Sequence, residues 1–567
     1  MFKKSNLLLM LALSLLLVFA ACSSDDDTPA DAAEGQDQET TDSGEATGEY
    51  QTEPVVTYSF FNAADSGRDI NTNETVLGQL FEEQTGVNFD LEHIVGDINQ
   101  RIGVMVASGD YPDVIVPDAA IDTLLDAGAF IPLNDLLEEH GPNILEMYDE
   151  YIDRFTMEDG NIYWIPFGAT VNEFKPMANI DQGAFWIQRG VLKENGFPEV
   201  TTLDEYFDLI TQYADENPEI DGMRTIPFTG LTYDWRFFAF ANAPNHLAGF
   251  PNDGDVMVDM ETYEASVYAD SEHTKRYLQK LNELNAEGYL DQEMFVMNYD
   301  EYLAKLTSGR VLGFFDYGWQ WGNARDALRD AGDPDKEFMA LPIVFDEDIV
   351  DQYIEPPAFT QNRGAAITVN AENPERIIQF WDNLVKEENQ RLIMWGFEGE
   401  HYEVDEDGMF YRTDEQLVLT AEQSERDRVG MSVFEWNWPR INGSFSDGNA
   451  VEPRRQAEVA LADYSEADRE YLEAYGIETF AELFAQPQDR PWYPAWSANI
   501  EQGSDVQIFE ERSEEMKKRH FARIVLADPA DFEKEWNDFV EAYRSLDVDA
   551  FENFFTEVVE QRLRGEW

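Results

Sequence analysis

The chain has 567 residues, long enough for two or three domains, and its 43% hydrophobic and 13% aromatic content is ample for sizeable cores. Against 39 lysines and arginines stand 115 aspartates and glutamates, a net charge of −76 at pH 7. That balance argues against a nucleic-acid partner, which needs a basic face, and a single cysteine excludes a disulfide framework or a cysteine metal cluster. The acidic residues are spread along the whole chain, which reads as solubility chemistry for a salty or alkaline medium where salt screens the self-repulsion. Attraction of a cationic ligand is the alternative.

The first residues, Met1 to Lys4, are basic, and Leu7 to Ala20 is an apolar run of signal-peptide length, short for a bilayer span. Phe19-Ala20-Ala21-Cys22 places two small residues before the one cysteine and resembles a bacterial lipobox, with Phe19 in place of the usual Leu or Val. The expectation is a leader over residues 1–21 and a lipid on Cys22. Residues 22–54 are acidic, polar and without lysine or arginine, which predicts a disordered linker holding the body near a membrane.

From 55 to 167 short β-branched and aromatic runs alternate with helical patterns: Val55 to Asn62, a helix ending at Gly86, Val87 to Leu91, a second helix, then Val114 to Val116. This predicts βαβ units on a mostly parallel sheet, with ligands beyond the carboxyl ends of its strands, where Phe61, Asn62 and Asp118 stand. A second lobe is expected over 168–360. Its markers are the strand Phe185 to Gln188, a helix capped by Thr202 with Glu205 at N3, a strand ending at Gly230, and the strand Val311 to Asp316. Arg363 to Asn370 reads as a strand crossing back, so that 361–567 returns to the first lobe and adds a C-terminal helical region shared between lobes. Tyr402 to Tyr411 reads as a hairpin. No repeat of fixed period is present.

Four stretches together resemble a known family. These are Ala107-Ser108-Gly109-Asp110-Tyr111-Pro112-Asp113-Val114; Asp159-Gly160-Asn161-Ile162-Tyr163 with Ile165-Pro166; Trp186-Ile187-Gln188-Arg189 with Leu192 and Thr201 to Glu205; and Gly396 to Tyr402 with Asp405 to Gly408. In this order, behind a lipobox and an acidic linker, they are similar to extracellular solute-binding lipoproteins of carbohydrate ABC importers, family 1, with LplA-like members. Gln188-Arg189-Gly190 departs from the family's Arg-Lys-Asp, so charges there are not carried over. The resemblance implies an α/β, two-lobed periplasmic-binding-protein-like fold of type II, lobes joined by hinge strands. It implies an oligosaccharide, uronate-containing sugars included, closed upon by the lobes and handed to permease subunits in the membrane. A monomer without cofactor is expected. The same scaffold with a peptide or other solute is the nearest alternative, and a glycoside-active enzyme a more distant one.

Sugar binding needs flat aromatic faces and planar polar groups. Asp316-Tyr317-Gly318-Trp319 follows a buried-looking strand and looks like the end-of-strand turn of maltose-binding-type proteins, whose Trp stacks on sugar; packing between lobes is the alternative for Trp319. Tyr233-Asp234-Trp235 and Glu435-Trp436-Asn437-Trp438 are further aromatic-polar clusters, with Trp235, Trp436 and Trp438 as candidates. Arg363 is a candidate for a hydroxyl or acid group, or for a salt bridge. Trp164 and Trp321 read as packing, and Trp492-Tyr493-Pro494 as a loop staple. The acidity argues against a polyanionic ligand unless Arg363 or Arg440 faces the cleft. Glu403, Asp405, Asp407 and Gly408 imitate part of a calcium loop, but a hairpin turn is preferred and no metal is expected. No HExxH, GxSxG or phosphate loop is present, and the six histidines have no ligand spacing, so no catalytic residue is expected.

Overall fold

In the computed structural model the described residues are 54–564, apart from 65–66, 97, 158, 176, 356–358, 362, 488–493, 499 and 502. The leader, Cys22, almost all of the linker, Trp492 and Tyr493 lie outside them.

Two sheets organise the body. The first has six strands in the order Ile70–Asn71, Val87–His93, Val56–Asn62, Val114–Val116, Ala365–Ile367, Trp164–Ile165. Its middle is parallel: Val56–Asn62 pairs with Val87–His93 on one side and Val114–Val116 on the other. The crossovers are the helices Val76–Thr85 and Ile98–Ser108. The first of these is capped by Thr75, whose side chain accepts from the Gly78 N–H, and stops at Gly86 in the left-handed region (φ 71°). Ala365–Ile367 joins antiparallel to Val114–Val116.

The sheet is covered on both faces. One core gathers Tyr58, Phe60, Phe89, Phe380, Trp381 and Trp438. The other gathers Phe61, Ile102, Ile115, Ile121 and Trp164. A strand so enclosed is apolar on both sides, which is why Val114–Val116 is an unbroken hydrophobic run.

The second sheet has four strands in the order Ile226–Thr229, Val311–Tyr317, Gly183–Gln188, Phe338–Leu341. The first two are parallel, and Gly183–Gln188 runs antiparallel to both its neighbours, making this sheet mixed rather than mostly parallel. The capping box at Thr202 and Glu205 forms as expected. The second-lobe core extends through Phe509, Phe521, Phe539 and Phe551, so the C-terminal helices Asp505–Val525, Phe532–Tyr543 and Val548–Leu563 pack on this lobe.

A short parallel pair, Ala169–Val171 with Ile441–Gly443, packs beside the first core. The second partner stands in a region whose pattern reads as helical with loops. Its backbone is fixed from below by the buried Tyr148 hydroxyl, which lies 2.8 Å from the carbonyls of both Pro166 and Arg440 and shares its single proton between them.

Candidate functional site

The site is built outward from a buried carboxylate. Asp316, penultimate in Val311–Tyr317, is 1% exposed. Its Oδ2 accepts from the Tyr302 hydroxyl at 2.7 Å, and its Oδ1 accepts from the Tyr317 N–H and the Gln320 Nε2, also at 2.7 Å. Burial pushes its pKa up to about 7 against the pull of these donors. Asp316, a candidate ligand contact by sequence, therefore folds the turn rather than facing solvent. Tyr317 is likewise enclosed: its hydroxyl accepts from Asn242 Nδ2 at 2.8 Å, and its ring lies 5.0 Å from Phe238 and 5.9 Å from Trp319.

Above this base Trp319 emerges, 49% exposed. Gly318 makes the turn possible: a Cβ there would stand 2.8 Å from the Asp181 Cα, closer than packing allows. The approach lets the Trp319 N–H donate to the Asp181 carbonyl at 3.3 Å. Trp235 is 55% exposed and is carried by the turn Asp234–Arg236, where Asp234 takes a positive φ of 44°. Its neighbour Arg236 is fixed by Asp234 Oδ2 at 2.6 Å and sits between the Trp235 ring (4.6 Å) and the Tyr299 ring (4.1 Å).

Trp235, Trp319 and Phe238 then form a triad of nearly parallel rings. Centroids are 6.0 Å apart for Trp235–Trp319 and 6.1 Å for the other two pairs, with planes within 11°. Phe238 escaped the sequence reading. Its signal was its place three residues after Trp235, on the first turn of the helix Phe237–Leu247.

A second aromatic surface stands near the pair Ala169–Val171 with Ile441–Gly443. Trp436 is 42% exposed and is overlain by Arg440 (4.3 Å) and Arg454 (5.9 Å). Arg454 Nη1 donates to Asp181 Oδ2 at 2.9 Å, linking this surface to the residue that holds the Trp319 turn. Beneath lies Glu452, 3% exposed, with Arg454 Nε at 2.8 Å, Arg455 Nε at 3.2 Å and Arg440 Nη1 at 3.7 Å. Burial works to raise its pKa, but Arg454, Arg440 and Arg455 outweigh it and bring it down to about 2. The sequence signal for this cluster was Arg454-Arg455, adjacent cations in a chain with few.

Trp438, two residues on, goes the other way. It is 2% exposed, with its ring 4.6 Å from Phe60 and 5.3 Å from Phe434, and belongs to the first-lobe core rather than to a surface. At the first-lobe strand ends Phe61 is buried against Ile102 and Ile121, and Asn62 is a turn former whose Oδ1 accepts from the Ala64 N–H at 3.0 Å. Asp118 and Arg363 are brought together as a pair (Nε–Oδ1 2.8 Å), both partly exposed. Burial pushes the neighbouring Asp122 up to about 6, opposed by Arg363. Trp164 is buried, donating from Nε1 to the Gln361 carbonyl at 2.7 Å, and Trp321 packs against Trp186 and Phe338.

The acidic hairpin Glu403–Val404 with Phe410–Tyr411 closes on itself. Asp405 Oδ1 accepts from the N–H groups of Asp407 and Met409. Glu400, His401 and Glu425 also converge. There the His401 Nδ1 accepts from the Phe397 N–H, its Nε2 faces Glu425 at 3.2 Å, and Arg428 pairs with both glutamates. A cavity of about 330 Å³ beside Phe338–Leu341 is lined by Arg189, Arg329, Asp463 and Asp468, which pair with one another.

A family model described as bacterial extracellular solute-binding protein matches residues 77–397, more than half of the chain. A fructooligosaccharide ABC transporter substrate-binding protein, FusA, of Streptococcus pneumoniae is 27% identical over 265 residues, 44% of this chain and 47% of that protein. A polygalacturonan/rhamnogalacturonan-binding protein, YtcQ, of Bacillus subtilis is 22% identical over 352 residues, 59% of this chain and 65% of that one. The chain thus spans less than two thirds of either relative. The solved structure of FusA in complex with kestose matches with a TM-score of 0.65 at 18% identity, over 90% of this chain and 100% of that one. Alginate-binding protein AlgQ2 without calcium ion matches at 0.62 and 16%, over 91% and 100%. At these identities the likeness is one of fold.

Proposed function

The chain belongs to the bacterial extracellular solute-binding proteins, and on that premise we propose that it captures an extracellular oligosaccharide between its lobes and delivers it unreacted to the permease of an ABC importer. The observation that carries the reading is the triad Trp235, Phe238 and Trp319. Three nearly parallel rings, two of them about half exposed, are costly to leave in water and match the flat apolar face of a sugar ring. Trp436 supplies a second face beyond the Arg454–Asp181 pair. Asp118 and Arg363 supply planar acceptors and donors for hydroxyls, at the price of opening their own exposed pair. The names of FusA and YtcQ, a fructooligosaccharide and a polygalacturonan/rhamnogalacturonan binder, support the same class.

In this reading binding and motion are one process. Ligand contacts made from both lobes favour the closed arrangement, and the short strand pair Ala169–Val171 with Ile441–Gly443 is the joint that bends. The body works as a monomer tethered outside the cytoplasm through a lipid on Cys22. Among the described residues no helix is long and apolar enough to cross a membrane.

Thermal unfolding of the purified chain in high salt, against neutral and acidic oligosaccharides, tests this. A sugar that raises Tm with saturating dose and is recovered intact supports capture. No shift with any sugar directs the search to peptides or other solutes, and recovery of cleaved sugar overturns the non-enzymatic reading.

A further inference from the structure

Arg440 is a buried group that the described residues leave unfinished. Its side chain is 9% exposed, yet its Nε and Nη1 have no hydrogen-bond partner among the described residues. The nearest carboxylate, Glu452, is 3.7 Å from Nη1 and is held at shorter range by Arg454 and Arg455. Three guanidinium groups therefore share one buried carboxylate, and among the described residues Arg454 alone of the three pairs with a second acid, Asp181. In a chain of net charge −76 this is a local excess of positive charge.

The position is fixed by its backbone. The Arg440 backbone is held at both ends: its N–H donates to the Tyr148 hydroxyl at 3.1 Å, and its carbonyl accepts from that hydroxyl and from the Gly168 N–H. The guanidinium lies on the face of Trp436. Its Nη2 lies 3.8 Å from where a Cβ on Gly168 would stand, so Gly168 places no side chain against it, and the Asn442 Cβ borders the same spot.

We propose that Arg440, stacked on Trp436, reads a ring carboxylate, and that the captured oligosaccharide is a uronate. This rests on the reading of the cleft as an oligosaccharide site and narrows it. A carboxylate is planar and offers two acceptors to the planar fork of a guanidinium, whereas a lone hydroxyl meets one nitrogen and leaves the charge unpaired. A ligand entering past Gly168 meets Nη2 first. A small shift of Arg440 away from Glu452 then turns the Nη1–Nη2 edge to it. A buried donor set that is completed only by an acid discriminates strongly against the analogue lacking that acid.

The test is calorimetric titration of the full chain with trimers of galacturonate, mannuronate and guluronate, and with the same trimers after reduction of each carboxylate to a hydroxymethyl group. The expected result is one acidic trimer bound roughly 10- to 100-fold more tightly than its reduced form, the preference shrinking with added salt. Arg440→Gln is expected to remove the preference and Arg440→Lys to restore part of it, each checked for an unchanged near-ultraviolet spectrum. The comparison within the unaltered protein stands even where a variant fails to fold. Reduced trimers bound as tightly as acidic ones, or a sulfated neutral trimer bound in preference, overturn the assignment while leaving oligosaccharide capture intact. Binding of no sugar of either charge removes the capture reading and this one with it.

Discussion

At the carboxyl end of the first sheet Phe61 and Asn62 are buried, and the charges nearby, Asp118 and Arg363, close on each other. At the carboxyl end of Val311–Tyr317 in the second sheet, Trp319 stands half open beside Trp235 and Phe238. The apolar surface of the first lobe is turned inward, and part of that of the second is kept outward. Water disfavours the outward arrangement, so it needs a fixed base. Asp316, with three donors on its two oxygens, is that base, and the first sheet has no equivalent among its described residues.

The largest break in this contrast is expected at Trp438, which fills the core under the first sheet. Trp438→Ala should cost about 3–5 kcal/mol of stability in urea unfolding, whereas Trp436→Ala should cost far less, because its ring is already 42% exposed. Equal losses would mean that both rings are structural.

Asp316 tests the base of the second sheet through pH. Its pKa is raised in the folded protein from 3.8 to about 7. Between those values the folded state keeps a proton that the unfolded chain has lost, so the contribution of this group is greatest at low pH and falls as pH rises. Asp316→Asn keeps the shape without the titration. Its stability relative to the unaltered protein should climb by about 1.4 kcal/mol per pH unit across that window and level off above it. A flat difference would show that the carboxylate is not enclosed as described.

Next come the rings themselves. Trp319→Ala and Trp235→Ala are expected to weaken sugar binding by roughly 10- to 100-fold with little change in Tm. An unchanged affinity would take the triad out of the site. The smallest effect belongs to the first sheet: Asp118→Asn, in a partly exposed pair, should shift stability by less than about 1 kcal/mol.

Much of the scaffold was legible because it is locally written. Val56–Asn62 and Val87–His93 carry β-branched and aromatic residues, and Thr202 with Glu205 marks a helix start in four letters. Ile441–Gly443 was not legible. It is three residues long, ends in a glycine at φ 88°, and pairs with a strand some 270 positions earlier, so nothing nearby announces it. Trp436 and Trp438 illustrate a different limit. Regular extended spacing would put them on one face, but Asn437 takes a positive φ of 64° and sends one ring into the core and the other to the surface. Asp316 and Tyr317 looked like ligand contacts because they sit at a strand end. The second lobe covers both faces of that strand, which the strand's own seven residues only hint at.

The Trp235–Trp319 pair has a spectroscopic corollary. Two indoles with centroids 6.0 Å apart and planes 11° from parallel are close enough for their electronic transitions to mix. The protein should therefore carry an exciton signature in its ultraviolet dichroism that isolated tryptophans do not produce. A solute settling on those rings changes their spacing or polarisability, and with it that signal. If those rings hold the solute as proposed, capture can be followed in real time without a dye.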